Sequence, residues 1–257
     1  RGSARLRLEC AYLRRLERLV RAVQRLDGDD EAARLIRDGR AMESCARQAL
    51  AEGGQRLPAC GGRPRVEILM SALCAGGESR LTRESLLEAL REFDEIQPLA
   101  MAELWAVPAA ARIALARALA DTAASIAADA RRRAAAERWV RHPALYPMRP
   151  DAAFVERALK RTAEDARPQA RRRLESSLSR RRITPERAIR RAHAARALNQ
   201  LRLDNLLAGK RLLDELDWQA CFRALSRVDR ELRADPGGIY GRMDDDSRAA
   251  VRDQTSA

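Results

Sequence analysis

The chain has 257 residues, with 50 Lys and Arg against 37 Asp and Glu, and a formal net charge of +13. Hydrophobic residues make up 46% and aromatic residues 4%. This is too apolar for a wholly disordered chain and too poor in aromatic and β-branched residues for a sandwich or barrel. Ala, Leu, Arg and Glu dominate and favour helices. We expect an all-α fold, a multi-helix array or a stack of helix pairs, in one body or two helical subdomains.

The first two helices are predicted from apolar residues that repeat at steps of three and four. They cover residues 4–26 and 31–52. The segment 55–64 follows with two prolines and two glycines, which disfavour a regular element. We therefore expect an irregular loop there.

Three further helical stretches complete the first half of the chain. One is predicted over 65–74, and Thr82 is the expected N-cap of the next. A long alanine-rich stretch follows Pro98, and we expect Pro108 to kink it or to restart the helix. Few large side chains lie on this stretch, so neighbouring helices can approach it closely.

A proline-rich segment divides the chain. Residues 141–150 contain three prolines, which disfavour helix. We predict an N-terminal helical subdomain over 4–140, this linker, a C-terminal helical subdomain over 151–243, and a polar tail over 244–257.

The helices of the second half have clear start signals. Pro168 is expected to interrupt the first of them. Thr184 followed by Pro185 predicts a new helix with Thr as N-cap and Pro at its first position. Asp217 is the expected cap of the last helix.

The helix after Pro185 carries residues at intervals of four that predict its inner face: Ile189, His193, Ala197 and Leu201. His193 is therefore interpreted as a core histidine rather than a ligand. Asn199 and Asn205 lie in the same helix, where asparagine competes for backbone hydrogen bonds. We expect them to make specific contacts with a neighbouring segment.

The sequence offers little to support catalysis or metal binding. It contains no phosphate-binding loop, dinucleotide fingerprint, nucleophile elbow or zinc-protease helix. Five widely spaced cysteines suit neither a disulfide framework nor a zinc site, and we expect reduced, mostly buried thiols. Asp244 to Asp246 resemble an acidic metal cluster but are interpreted as a helix cap and first turn. We predict no metal and no cofactor.

Glu103 stands in an otherwise apolar stretch. A buried glutamate can serve as a general acid. Its position at a first helical turn instead favours pairing with an arginine or with free backbone N–H groups.

Three ordered stretches of the chain, from Leu57 onward, carry a family resemblance. Their marker residues are Pro64 and Arg65 in the first stretch; Glu103, Trp105 and Pro108 in the second; and Asn199, Asn205, Asp217, Trp218, Asp235, Pro236, Tyr240, Arg242 and Asp244 in the third. In order and spacing they resemble the N-terminal cytoplasmic region of cyclic β-1,2-glucan synthases.

The resemblance implies a non-catalytic helical accessory region of a very large bacterial enzyme that builds β-1,2-glucan from UDP-glucose. It implies a place on the cytoplasmic side of the inner membrane, ahead of the transferase core. The expected partners are the catalytic domains of the same polypeptide or the glucan. Trp105 and Trp218 are expected to anchor the core, with stacking on sugar as the alternative.

The basic excess leaves a second function open, binding of nucleic acid or of an anionic surface. The arginines are spread along the chain among acidic residues, and no aromatic residue interrupts the runs at 131–133, 171–173 and 180–182. A single-strand stacking surface is therefore not predicted. Nucleic acid is the disfavoured partner, while an anionic membrane surface suits the charge.

Overall fold

The computed structural model describes residues 2–6, 56–74, 80–143, 150–225, 231–234 and 237–244, with single positions at 18, 21, 44, 47, 48, 51, 247, 248, 250 and 251. Within them the protein is predominantly α-helical, as its composition predicted. The predicted helices over 4–26 and 31–52 fall almost wholly outside the described residues, and so do Asp235 and Pro236.

A small antiparallel sheet precedes the described helices. Its strands are β1 (Gly2–Ala4), β2 (Leu57–Cys60) and β3 (Arg63–Pro64), with β2 in the centre. Gly61 and Gly62 join β2 to β3 with φ angles of 56° and 77°. Left-handed angles at both positions are what a two-residue hairpin turn requires, and glycine adopts them without steric cost.

This sheet corrects two predictions. The expectation of an irregular loop over 55–64 was wrong, because the two glycines close a hairpin and the two prolines fit within its very short strands. The first helix does not begin at Ala4, because Ala4 pairs with Leu57 in the sheet.

Three helices follow the sheet: α1 (Arg65–Cys74), α2 (Arg83–Ile96) and α3 (Met101–Arg141). The predicted cap at Thr82 is confirmed. Its hydroxyl oxygen accepts the backbone N–H of Ser85 at 3.1 Å, and the Ser85 hydroxyl accepts the N–H of Thr82 at 3.0 Å. This reciprocal pair satisfies two backbone donors that a helix start leaves open.

The longest helix, α3, has 41 residues and runs through Pro108 without interruption. Of the two predicted alternatives, the restart of the helix was wrong, and the kink stays a prediction. Proline removes one helical hydrogen bond, but Val107 and Ala109 beside it are buried and hold the helix by packing. No helix in the described ranges combines the length and apolarity needed to cross a bilayer.

The second half contains α4 (Ala152–Glu164), α5 (Pro168–Arg180), α6 (Pro185–Glu215), α7 (Trp218–Leu225) and the short α8 (Ile239–Arg242). The predicted break at Pro168 is confirmed, since α5 begins there. The predicted cap is confirmed as well, because the Thr184 hydroxyl accepts the N–H of Arg187 at 3.3 Å and Pro185 opens the helix.

The predicted inner face of α6 was wrong. His193 is exposed and is no core histidine, and Leu201 is 47% exposed. The buried positions are Ala188, Ala192, Asn199, Leu203, Leu206, Leu207, Gly209 and Leu213. A strict step of four advances 40° around the helix each time, so the predicted residues drift off any one face.

Two hydrophobic cores lie along the molecule. The first packs β2, α1, α2 and α7 against α3 and the later turns of α6. Here α6 comes so close to α3 that a Cβ on Gly209 would lie 3.3 Å from Leu115. Gly209 permits this approach because it has no side chain.

The second core joins the last turns of α3 to α4, α5 and the start of α6. Its members are Ala136, Trp139, Val140, Val155, Ala158, Ala170, Leu174, Leu178 and Ala188. They come from both sides of the predicted linker 141–150, most of which falls outside the described residues. The division into subdomains at that linker stays a prediction.

An ion pair reinforces the contact between α3 and α4. Arg157 donates from Nε to Glu137 Oε1 at 2.9 Å and from Nη2 to the same oxygen. The hydrogen bonds from Arg157 lower the pKa of Glu137 below its ordinary value.

Candidate functional site

The three stretches that carry the resemblance meet at one end of the first core. Arg65 opens α1, Glu103 and Trp105 lie in the first turns of α3, and Trp218 and Phe222 lie on α7. We call these five residues the motif junction. Its contacts join parts of the chain that are distant in sequence.

The centre of the motif junction is a buried ion pair. Arg65 donates from Nε to Glu103 Oε1 at 3.0 Å and from Nη2 to Oε2 at 2.5 Å. Glu103 is 0% exposed, and its Oε2 also accepts the backbone N–H of Ala100 at 3.0 Å. Two parallel bonds from one guanidinium are the strongest arrangement such a pair can adopt.

Arg65 also fixes the end of α2. Its Nη1 donates to Gln97 Oε1 at 3.2 Å and its Nη2 to the Pro98 carbonyl at 3.0 Å, and the guanidinium lies 5.8 Å from the Phe93 ring centre. The hydrogen bond with Glu103 raises the pKa of Arg65, against the opposing effect of burial. One side chain therefore connects α1, α2 and α3.

The prediction that Glu103 is paired is confirmed for both kinds of partner, an arginine and a first-turn N–H group. The carboxylate has no exposed surface to meet a substrate. Its hydrogen bonds join the starts of α1 and α3.

The structure places a second buried carboxylate on α1, which the sequence analysis missed. Glu67 is 2% exposed, and its Oε1 accepts Arg117 Nη1 at 2.6 Å and Arg63 Nη2 at 3.0 Å. The signal was present, because Glu67, Met70 and Cys74 occupy one helical face at i, i+3 and i+7.

The aromatic part of the motif junction is open to solvent on one side. Trp105 is 51% exposed, so the expectation that it anchors the core was wrong. Its ring centre lies 4.5 Å from that of Phe222, which is only 7% exposed. The Trp105 ring therefore packs on Phe222, and about half of the residue is exposed to solvent.

Trp218 and Asp217 fix α7 against the end of α6. The Trp218 indole N–H donates to the Leu213 carbonyl at 3.1 Å, and its ring lies 6.1 Å from Phe222. The predicted cap is confirmed, since Asp217 Oδ1 accepts the N–H of Ala220 at 3.0 Å. Trp218 is half-buried and packs against the first core.

The remaining marker residues are dispersed. Pro64 is buried in β3, and Pro108 is half-buried in α3. On α6, Asn199 is buried at 4% exposure and Asn205 is half-buried. These four residues lie on three different elements, β3, α3 and α6.

The C-terminal markers also have structural positions. Tyr240 is buried at 4% exposure in α8, and Arg242 is exposed. Asp244 Oδ1 accepts the N–H of Ser247 at 2.8 Å, which confirms its interpretation as a helix cap. Among the described residues, no three His, Cys, Asp or Glu side chains are grouped to hold a metal ion.

Of the described cysteines, Cys74 and Cys221 are buried and Cys60 is exposed. Burial raises the pKa of the Cys74 thiol to about 12. Since the thiolate is the reactive form, Cys74 acts as a small apolar core residue.

Comparison with known proteins does not place the chain in a family. No family model matches it. A search of curated proteins also finds none that matches.

Proposed function

We propose that this chain is the non-catalytic helical accessory region of a cyclic β-1,2-glucan synthase-like glycosyltransferase. In this role it docks on the catalytic domains of the same polypeptide, or on the glucan chain that they produce. Its place is the cytoplasmic side of the bacterial inner membrane.

The observation that carries the proposal is the convergence of the three marker stretches. Arg65 of the first stretch pairs with Glu103 of the second, and Trp105 of the second stretch and Trp218 of the third both contact the ring of Phe222. Residues 38 positions apart form the central ion pair. Motifs that are separate in sequence but adjacent in space are what one shared helical architecture requires.

The state of the buried acids supports a non-catalytic role. A general acid needs contact with its substrate. Both buried glutamates, Glu67 and Glu103, are instead held by arginines and shielded from solvent. They hold neighbouring elements together and are not accessible to a substrate.

Trp105 supplies the surface that the proposal assigns to glucan. A sugar ring has an apolar C–H face, and an indole that is both exposed and held from behind can pack against it with little loss of conformational entropy. Phe222 provides this support at 4.5 Å.

The test is calorimetric titration of the chain with linear β-1,2-glucan, alongside incubation with UDP-glucose. We expect saturable glucan binding, and affinity that falls roughly tenfold in Trp105→Ala. The matched control is Ile96→Ala, which shortens another side chain that is 81% exposed and should leave binding unchanged.

Two results contradict the proposal. Glucose transfer by the chain alone would show that the region is catalytic. Glucan binding of unchanged strength in Trp105→Ala would remove the motif junction from glucan recognition.

A further inference from the structure

Among the described residues, one segment carries a large positive net charge. Residues 167–191 contain ten arginines and two glutamates, a formal charge of +8 within a chain whose total is +13. We call these arginines the arginine corner: Arg167, Arg171, Arg172, Arg173, Arg180, Arg181, Arg182, Arg187, Arg190 and Arg191.

The arginine corner lies along α5, the turn 181–184 and the first turns of α6. All ten side chains are exposed. Arg171 pairs with Glu175 at 2.9 Å, and none of the other nine forms an ion pair with a described residue. This differs from the motif junction, where Arg65 is paired with the buried Glu103.

The backbone that carries the arginine corner is fixed by packing and by hydrogen bonds. Ala170, Leu174 and Leu178 bury one face of α5 in the second core. The Leu178 carbonyl accepts the N–H groups of Arg181 at 3.0 Å and Ile183 at 3.1 Å, which fixes the turn. The arginines are thus displayed from a fixed backbone.

Arg182 has an unusual backbone conformation. Its φ is 55°, in the left-handed region where glycine is the ordinary choice. The turn instead has an arginine at this position, which adds a third consecutive charge after Arg180 and Arg181.

We propose that the arginine corner is a docking surface for an anionic lipid bilayer. Opposite charge provides the attraction, and a basic side chain near an anionic leaflet strengthens attachment about fivefold. Several such contacts together suffice for stable peripheral binding. The inference depends on these charges alone and stands apart from the glucan-synthase proposal.

The chemistry of the corner favours a bilayer over nucleic acid. Single-strand binders line a groove with aromatic rings, whereas the segment 167–191 has no Phe, Tyr or Trp. Residues 163–169 and 179–182 are exposed throughout, so they form a projection rather than a groove.

The corner also predicts the manner of binding. Its leucines are buried and no large apolar side chain is exposed within 167–191. The surface should adsorb on headgroups without entering the acyl region, in contrast to an amphipathic anchor helix. Binding should therefore be reversed by salt, which screens exposed charges.

The test is sedimentation of the chain with vesicles of phosphatidylcholine containing about 30% phosphatidylglycerol, at about 0.1 M and 1 M salt. We expect binding at low salt, release at high salt, and no binding to pure phosphatidylcholine. The triple variant Arg172→Ala, Arg181→Ala, Arg190→Ala should bind on the order of 100-fold more weakly, with an unchanged circular dichroism spectrum.

The matched control removes three exposed arginines elsewhere, Arg80→Ala, Arg83→Ala and Arg91→Ala. It has the same net charge and should bind vesicles far better than the corner variant. Equal loss in both variants, or no vesicle binding by the wild type, overturns the proposal. Tighter binding of a DNA duplex than of vesicles, lost in the corner variant, overturns it in favour of nucleic acid.

Discussion

Arg65 is the side chain on which the ends of three helices depend. It donates to both oxygens of the fully buried Glu103 carboxylate, and it also donates to the Pro98 carbonyl at the end of α2. A buried carboxylate that loses its cation retains the full cost of desolvation. Removing one member of the ion pair is therefore expected to lower the stability more than removing both.

This leads to a prediction for the two members separately and together. We expect Arg65→Met or Glu103→Leu to lower the free energy of unfolding by about 3 kcal/mol or more. The double variant should recover most of the loss, because no unpaired buried charge remains. Urea denaturation measures all three values.

The control is the exposed pair of Lys160 and Glu164, whose charged atoms are 4.0 Å apart. Glu164→Gln should change stability by less than about 1 kcal/mol. A loss of that small size in Glu103→Leu would contradict the role assigned to the buried pair.

Sequence could predict half of this ion pair. The position of Glu103 in an apolar first turn indicates that its carboxylate needs a partner. Its partner could not be chosen, because Arg65 lies 38 residues away and the chain is rich in arginine. The exposure of Trp105 was equally beyond prediction, since it depends on where α7 packs.

Among the elements, α3 departs furthest from local preference. Pro108 lies in its third turn, where the missing N–H and the ring both disfavour helix. The packing of the first core around this helix offsets the free energy that Pro108 costs the helix.

We therefore expect Pro108→Ala to raise the free energy of unfolding by about 1 to 3 kcal/mol. Thermal and urea denaturation would measure the gain. Pro168→Ala is the matched control, because proline is well tolerated at the first helical position and little change is expected. A loss of stability in Pro108→Ala would mean that ring contacts outweigh the missing hydrogen bond.

Element boundaries were predictable where side chains carry a local signal. Thr82 and Thr184 cap helices through their own hydroxyls, so their sequence neighbourhood suffices. The hairpin around Gly61 was missed because its strands are very short and contain two prolines, and because the other partner of β2 is the distant segment 2–4. The inner face of α6 was missed because it serves two cores at once.

At the scale of the whole molecule, α3 and α6 each contribute to both cores. Ala136 and Trp139 extend α3 into the second core, and Ala188 begins α6 there. Neither core can lose these helices without exposing apolar surface in the other. We infer that the described parts of the chain unfold together.

We predict a single unfolding transition, whose free energy falls when either core is weakened. Leu174→Ala in the second core and Leu119→Ala in the first should each lower stability by about 2 to 5 kcal/mol. Circular dichroism and hydrogen exchange should report the same loss in α1 and α5. Separate unfolding of α5 in Leu174→Ala, with α1 still protected, would contradict this cooperativity.

The unbroken course of α3 also sets a distance. Glu103 and Trp139 are both fixed by burial, at the start and the end of one helix. At 1.5 Å per residue they are separated by about 54 Å along its axis. The helix is thus a rigid spacer: if the arginine corner rests on a lipid surface, Trp105 is held at a fixed reach from it.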